Sequence, residues 1–152
     1  MSQSLSPFQQ HAVFVAETQV RVRYAETDQM GVVYYGNYAT YCEVGRVESI
    51  RQLGYTYKQM EAEGVMMPVV RMEIDYLRSA RYDDLLTIRS AVMPYEPGTQ
   101  AIEFHQEIYN EAGKMITRAA VHLVFVNSHD FRKTSMPDGL HSLLQQAHPQ
   151  GN

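Results

Sequence analysis

The 152-residue sequence predicts an α+β fold in which one antiparallel five-stranded sheet curls around one long central helix. Three observations predict it. Apolar residues recur with period two near residue 20, switch once to a helical period, and return to period two for the rest of the chain. The helical stretch is apolar around much of its circumference, as a helix wrapped by a sheet must be. The later strand-like stretches are joined by short turn-forming links, which connect antiparallel neighbours. With 45% apolar and 20% charged residues, the composition is that of an ordinary globular chain. Residues 1–152 are expected to form one domain, with a mobile N-terminal tail over residues 1–12, around Pro7, and a C-terminal tail over residues 138–152.

The first strand is read from Val20, Val22 and Tyr24 alternating with Gln19, Arg21 and Arg23, ending near Ala25. A polar turn from Glu26 to Gly31 leads through an apolar run to Gly36 and Asn37, and Asn37 has the side chain of an N-cap. The helix should run to Leu53, closed by Gly54 in a left-handed conformation, with Arg51 suiting the negative end of the dipole. Tyr38, Tyr41, Cys42, Gly45, Ser49 and Leu53 share one face while Val44, Val47 and Ile50 continue round the other, so the helix is expected to be enclosed. Gly45 in mid-helix implies a close approach by another element. Glu43 with Arg46 and Glu48 with Arg51 have the spacing of ion pairs directed to the open side.

A short helical turn follows around Lys58 to Glu63. Four strands are then read from Val70 to Tyr76, Leu86 to Val92, Ile102 to Ile108, and Ala119 to Phe125, the last being the most apolar. Asp83-Asp84, Pro97-Gly98 and Ala112-Gly113 supply their turns.

A net charge of -4 without a cluster of Lys and Arg argues against nucleic acid as a partner. There is no run of about 18 apolar residues to insert in a membrane, and the start lacks a signal-like pattern, so a cytoplasmic location is expected. The lone cysteine, Cys42, sits among Tyr41, Val44 and Val47 and reads as a packed thiol. Phosphate-binding glycine loops and a nucleophile-elbow motif are missing, and the six histidines lack metal-ligand spacing, so no metal site is expected. His105 and His122 read as strand residues on a solvated face.

The segment that stands apart is RYAETDQMGVVYYGNYATY, from Arg23 to Tyr41, where an acidic turn and an aromatic run precede the helix. One reading is a capping turn followed by core aromatics. The other is catalytic, because a helix N-terminus offers unpaired N–H groups to a developing oxyanion and a loop carboxylate can be brought beside it.

Tyr24, Thr27-Asp28, Gly31-Val32-Val33-Tyr34-Tyr35, Asn37-Tyr38, Glu43 and Arg46 resemble the opening motif of hotdog-fold thioesterases of the 4-hydroxybenzoyl-CoA thioesterase type. The stretch YLRSARYDDL from Tyr76 to Leu85 resembles that family's link between its second and third strands. Phe125 to Pro137 resembles its closing strand and basic loop. Ser79 stands where the family often has proline.

The resemblance implies a hotdog fold and an acyl-CoA thioesterase with Asp28 as catalytic carboxylate and the main-chain N–H of Tyr35 polarising the thioester carbonyl. Such a sparse site suffices chemically, since a thiolate whose acid has a pKa of about 8.5 leaves without much protonation. An ionised Asp can attack the carbonyl or orient water. Glu43 is the competing acid, because related enzymes carry theirs on the helix. Arg132 and Lys133 are the expected contacts to the phosphates of coenzyme A, which enters as part of the substrate, with no separate cofactor. Tyr34 and Tyr38 are expected to shape the acyl pocket, and Pro68 and Val69 to line that of a second subunit in a homodimer or tetramer of dimers. A non-catalytic acyl-CoA or acyl-carrier binding module would retain the same pocket. A hotdog dehydratase would need a histidine near the loop, and none occurs between Ala12 and Phe104.

Overall fold

A computed structural model describes residues 4–148. In chain order they form β1 (Phe14–Arg21), α1 (Asn37–Leu53), α2 (Tyr57–Ala62), β2 (Val65–Met66), β3 (Val69–Tyr76), β4 (Leu85–Val92), β5 (Ala101–Tyr109), β6 (Met115–Val124), β7 (Val126–Asn127) and α3 (Asp138–Ala147). Five strands make one antiparallel sheet in the order β1-β4-β5-β6-β3, and β2 pairs with β7 in a short ribbon. The sheet packs on α1 chiefly through β1 and β4, and Leu86, Ile88, Phe104, Val121 and Leu123 of the sheet are all buried in the core. The α+β prediction of one sheet curled around one long helix therefore holds.

Gly45 sits where the sheet comes closest. A Cβ there would lie 2.6 Å from Ile88 Cγ2 and 2.7 Å from Ser90 Oγ, so the helix can seat on β4 only without a side chain. Cys42 on the same face is fully buried, and burial pushes its thiol up to about 12, the behaviour of a packed, unreactive group.

Several sequence expectations are corrected. The first strand lies earlier, from Phe14 to Arg21, because its ladder with β4 begins at Phe14 opposite Val92 and ends at Arg21 opposite Leu85. Gly36 is the N-cap, and the Asn37 amide is engaged elsewhere. α1 is not fully enclosed, for Ala39, Thr40, Glu43, Arg51 and Gln52 remain exposed between the surfaces covered by the sheet and by α3. The Glu48–Arg51 pair forms at 3.3 Å, whereas Arg46 turns inward, 6% exposed, and donates from Nη1 to Gln106 Oε1 at 3.1 Å.

The segments expected as tails are structured where described; residues 1–3 and 149–152 of those segments lie outside the described residues. Gln9 is fully buried and donates from Nε2 to the carbonyls of Arg89 at 3.0 Å and His105 at 2.8 Å. Phe8 stacks on the His105 ring at 4.2 Å, which makes that histidine a packing residue. At the other end α3 inserts Leu140 and Leu144 into the core. Leu140, Leu143 and Leu144 fall at i, i+3 and i+4 on one face of α3, a single-turn stripe that the surrounding Pro, Gly, His and Gln residues mask in the sequence. No described helix is long and apolar enough to cross a membrane.

Candidate active site

After β1 the chain makes a 3-10 turn over Tyr24–Glu26 and then a narrow loop closed by the antiparallel bridge of Thr27 with Val33. At its tip, Asp28 N donates to Val32 O at 2.9 Å and Gly31 N to Asp28 O at 3.0 Å. This reversal needs a positive φ, which Gly31 supplies at 78°. The Asp28 side chain stiffens the tip, because its Oδ1 accepts from Met30 N at 2.9 Å. Its Oδ2 has no hydrogen-bond partner among the described residues, and Asp28 is half-buried.

The run from Val33 to Asn37 climbs from this loop into α1. Val33 N donates to Ala80 O at 2.8 Å, Tyr34 N to Glu26 O at 2.9 Å, and Asn37 N to Tyr34 O at 2.9 Å. Between them the Tyr35 N–H makes no hydrogen bond among the described residues. It therefore stands as an available donor just before the positive end of α1. At Gly36 the Tyr34 ring folds over the backbone, where a Cβ would lie 2.7 Å from its Cε2.

Asp28, Tyr35 and Tyr38 line one cleft of about 250 Å³ together with Met30, Tyr76 and Arg78. Tyr38 is 3% exposed, and its Oη accepts from Ala80 N at 3.2 Å, so it is at once core and cleft wall. Tyr76 stands edge-on to Tyr35 at 5.9 Å and tilted against Tyr38 at 5.7 Å. Burial, opposed by the Ala80 N–H, holds the Tyr38 phenol above its usual range.

The other residues singled out in the sequence lie outside this cleft. Tyr34 is half-exposed with its ring 4.8 Å from that of Tyr35. Pro68 and Val69 are exposed at the start of β3, an edge strand. Arg132 and Lys133 are exposed in the loop that returns to pair Lys133 with Val126. Glu43 is exposed on α1 and is absent from the cleft. The sequence places Tyr76 at the end of a strand and Leu77 to Ser79 in the link that follows, with no site role, yet these residues form a wall of the cleft. The available signal was an aromatic residue followed by Leu77 where a strand gives way to a polar turn. Among the described residues, no group of three or more His, Cys, Asp or Glu side chains is placed to hold a metal ion.

Comparison with known proteins gives the same architecture. Residues 22–144 match the family model of the thioesterase-like superfamily. The Bacillus subtilis protein YneP is 36% identical over 118 residues, covering 78% of this chain and 84% of its own length. The acyl-CoA thioester hydrolase YbgC of Escherichia coli O6:H1 is 31% identical over 127 residues, covering 84% of this chain and 93% of its own. Among solved structures, a DHNA-CoA thioesterase from Staphylococcus aureus superposes with a TM-score of 0.81 at 31% identity, over 87% of this chain and 89% of that one. A 4-hydroxybenzoyl-CoA thioesterase in complex with 4-hydroxybenzoyl-CoA, at 19% identity, shares the fold with a TM-score of 0.76 over 86% of this chain and 98% of that one. On the family match, the identity to full-length relatives and the shared sheet and helix, this chain belongs to the thioesterase-like superfamily and has the hotdog fold.

Proposed function

We propose that this chain hydrolyses acyl-CoA thioesters to the free acid and coenzyme A, with Asp28 as the catalytic carboxylate and the Tyr35 N–H as donor to the oxyanion. One observation carries the reading: a carboxylate with an uncommitted oxygen and a residue with an unpaired N–H line the same cleft beside the start of α1. The similarity to named acyl-CoA hydrolases supports the substrate class.

The chemistry follows from those two groups. With the thioester oxygen on the Tyr35 N–H, charge that builds on the carbonyl during attack meets a fixed donor and the positive end of α1. Asp28 Oδ2 either attacks the carbonyl carbon to form an anhydride, later hydrolysed, or takes a proton from an attacking water. In both routes the C–S bond breaks as the oxyanion collapses, and the thiolate leaves without a general acid because its conjugate acid has a pKa of about 8.5. The test is thiol release across a panel of short, long and aromatic acyl-CoA substrates, with Asp28→Asn as the blank. Absence of release above that blank from every member of the panel would overturn the reading.

Tyr38 lies in the acyl-binding wall on this reading, with Tyr34 at its rim. We assign the phosphates of coenzyme A to Arg132 and Lys133, the exposed cations beyond β7. Replacing both with Ala should raise KM for acyl-CoA severalfold with kcat little changed, and an unaltered KM would remove the assignment.

We further infer a homodimer, alone or paired into a tetramer, joined through β3. This strand is an edge of the sheet and leaves Val69 and Val70 exposed at 45% and 61%, an apolar border that a second copy would cover. Pro68 and Val69 then reach the partner's cleft. Size-exclusion chromatography should give a mass at least twice that of the chain at assay concentrations; an active monomer would contradict a shared site.

A further inference from the structure

Glu26, two positions before Asp28, is held by Arg23, Tyr34, Asn37 and Tyr41, and of these only Tyr34 enters the site described above. Glu26 ends the 3-10 turn, and its backbone carbonyl accepts two bonds, from the Asn37 side-chain amide at 2.8 Å and from Tyr34 N at 2.9 Å. Its carboxylate accepts from the Tyr41 hydroxyl at 2.9 Å and from Arg23 N at 2.9 Å through Oε1, and from the Arg23 guanidinium at 2.7 Å and 3.0 Å through Oε2. Asn37 and Tyr41 are four residues apart on α1 and so present neighbouring positions of one helix face. Tyr41 is 2% exposed, which fixes its hydroxyl in the core.

We propose that Glu26 is a positioning residue: clasped by Asn37 and Tyr41, it fixes the loop that bears Asp28 against α1 and so sets the Asp28 carboxylate relative to the Tyr35 N–H. The inference rests on the reading of Asp28 and Tyr35 as the reacting pair. The loop tip is a unit of its own, closed by the Thr27–Val33 bridge and by the bonds of Asp28 with Val32, Gly31 and Met30. That unit is tied to the rest of the fold at few points, of which Glu26 provides those to α1. The Glu26 carbonyl takes the Tyr34 N–H, and the next N–H, that of Tyr35, has no partner among the described residues. An error of about 1 Å in the placement of such a pair can lower the rate of the chemical step about a hundredfold without harming binding.

The local electrostatics are compatible with a permanent clasp. Desolvation pushes the Glu26 carboxyl up, but the Arg23 N–H, the Arg23 guanidinium and the Tyr41 hydroxyl together hold it below the usual carboxylate range. Burial and the bond to Glu26 push the Tyr41 phenol well above its ordinary value, so it stays a donor.

The test uses full-length Tyr41→Phe, which removes one hydroxyl and keeps the buried ring, alongside Asn37→Ala, which removes the second tether. Kinetics are measured on the best acyl-CoA of the panel, with melting temperature as the check on folding. In each variant kcat is expected to fall about tenfold or more with KM within about twofold of the parent, since a misplaced pair loses the chemical step and keeps ground-state binding. Adding Glu26→Ala to Tyr41→Phe should cost little beyond Glu26→Ala alone, because both remove the same contact. A folded Tyr41→Phe and a folded Asn37→Ala that both retain parental kcat, or that change KM alone, overturn the proposal while Asp28→Asn stays inactive. If Asp28→Asn is itself active, it is the reading of the reacting pair that fails. Should either variant fail to fold, the other decides.

Discussion

Asp28→Asn is expected to lower kcat by about 10²- to 10⁴-fold, the contribution of a positioned base or nucleophile, while leaving the melting temperature within about 2 °C of the parent. The separation of activity from stability follows from how the side chain is held. Asn retains the Oδ1 that accepts the Met30 N–H, so the loop tip keeps its turn, and Gly31 keeps its positive φ. What changes is Oδ2, the atom without a partner, which becomes an amide nitrogen that can neither attack a thioester nor accept a proton from water. Glu43→Gln is the control. Glu43 is exposed on α1 and lies outside the cleft, so turnover should stay within about twofold. Near-parental kcat in Asp28→Asn, or a collapse in Glu43→Gln, would move the reaction to the helix.

Leu140→Ala should destabilise the fold by roughly 2–5 kcal/mol, the range for a buried leucine whose surroundings relax only in part. Leu140 is fully buried, belongs to the main apolar cluster with Leu144, and lies on a helix that packs against α1. In a chain of this length that corresponds to a fall of several degrees or more in the melting temperature, readable by thermal or urea denaturation. The result separates two descriptions of the C-terminus. A residue in a loose tail would change stability by less than about 0.5 kcal/mol. A loss that small would mean that α3 does not hold the core closed in solution.

The elements most legible in the sequence were those whose local signals agree with their burial. α1 was bounded by Leu53 and Gly54 from a capping pattern, and Gly54 takes the left-handed conformation at φ 103°. Gly45 in mid-helix announced a close contact, and Ile88 and Ser90 provide it. β6 alternates over most of its length, whereas β4 is buried on both faces from Ile88 to Val92 and β5 from Gln106 to Ile108, so their period-two signal held only in part. Errors arose where a local signal had two physical outcomes. Asn37 has the side chain of an N-cap, but its amide found the Glu26 carbonyl, and Gly36 took the cap. Arg46 has the spacing of a surface ion pair with Glu43, but it follows Gly45 on the inward side and turns to Gln106.

The sequence by itself determined the alternation of strands, the extent of α1, the turns between the later strands, and a motif dense enough to point to Asp28 and Tyr35. These depend on side chains within a few residues of one another, where periodicity, capping and glycine conformations act directly. Only the tertiary structure decided which walls meet at Asp28. Tyr76 and Arg78 come to it from a strand link about 50 residues away, and Tyr41 reaches back fifteen residues to Glu26. It likewise decided that Gln9 and Leu140 are interior. The physical reason is the same in each case. Burial and hydrogen-bond partnership between segments far apart in the chain are set by the register of the whole sheet against the helix, and no local pattern encodes that register.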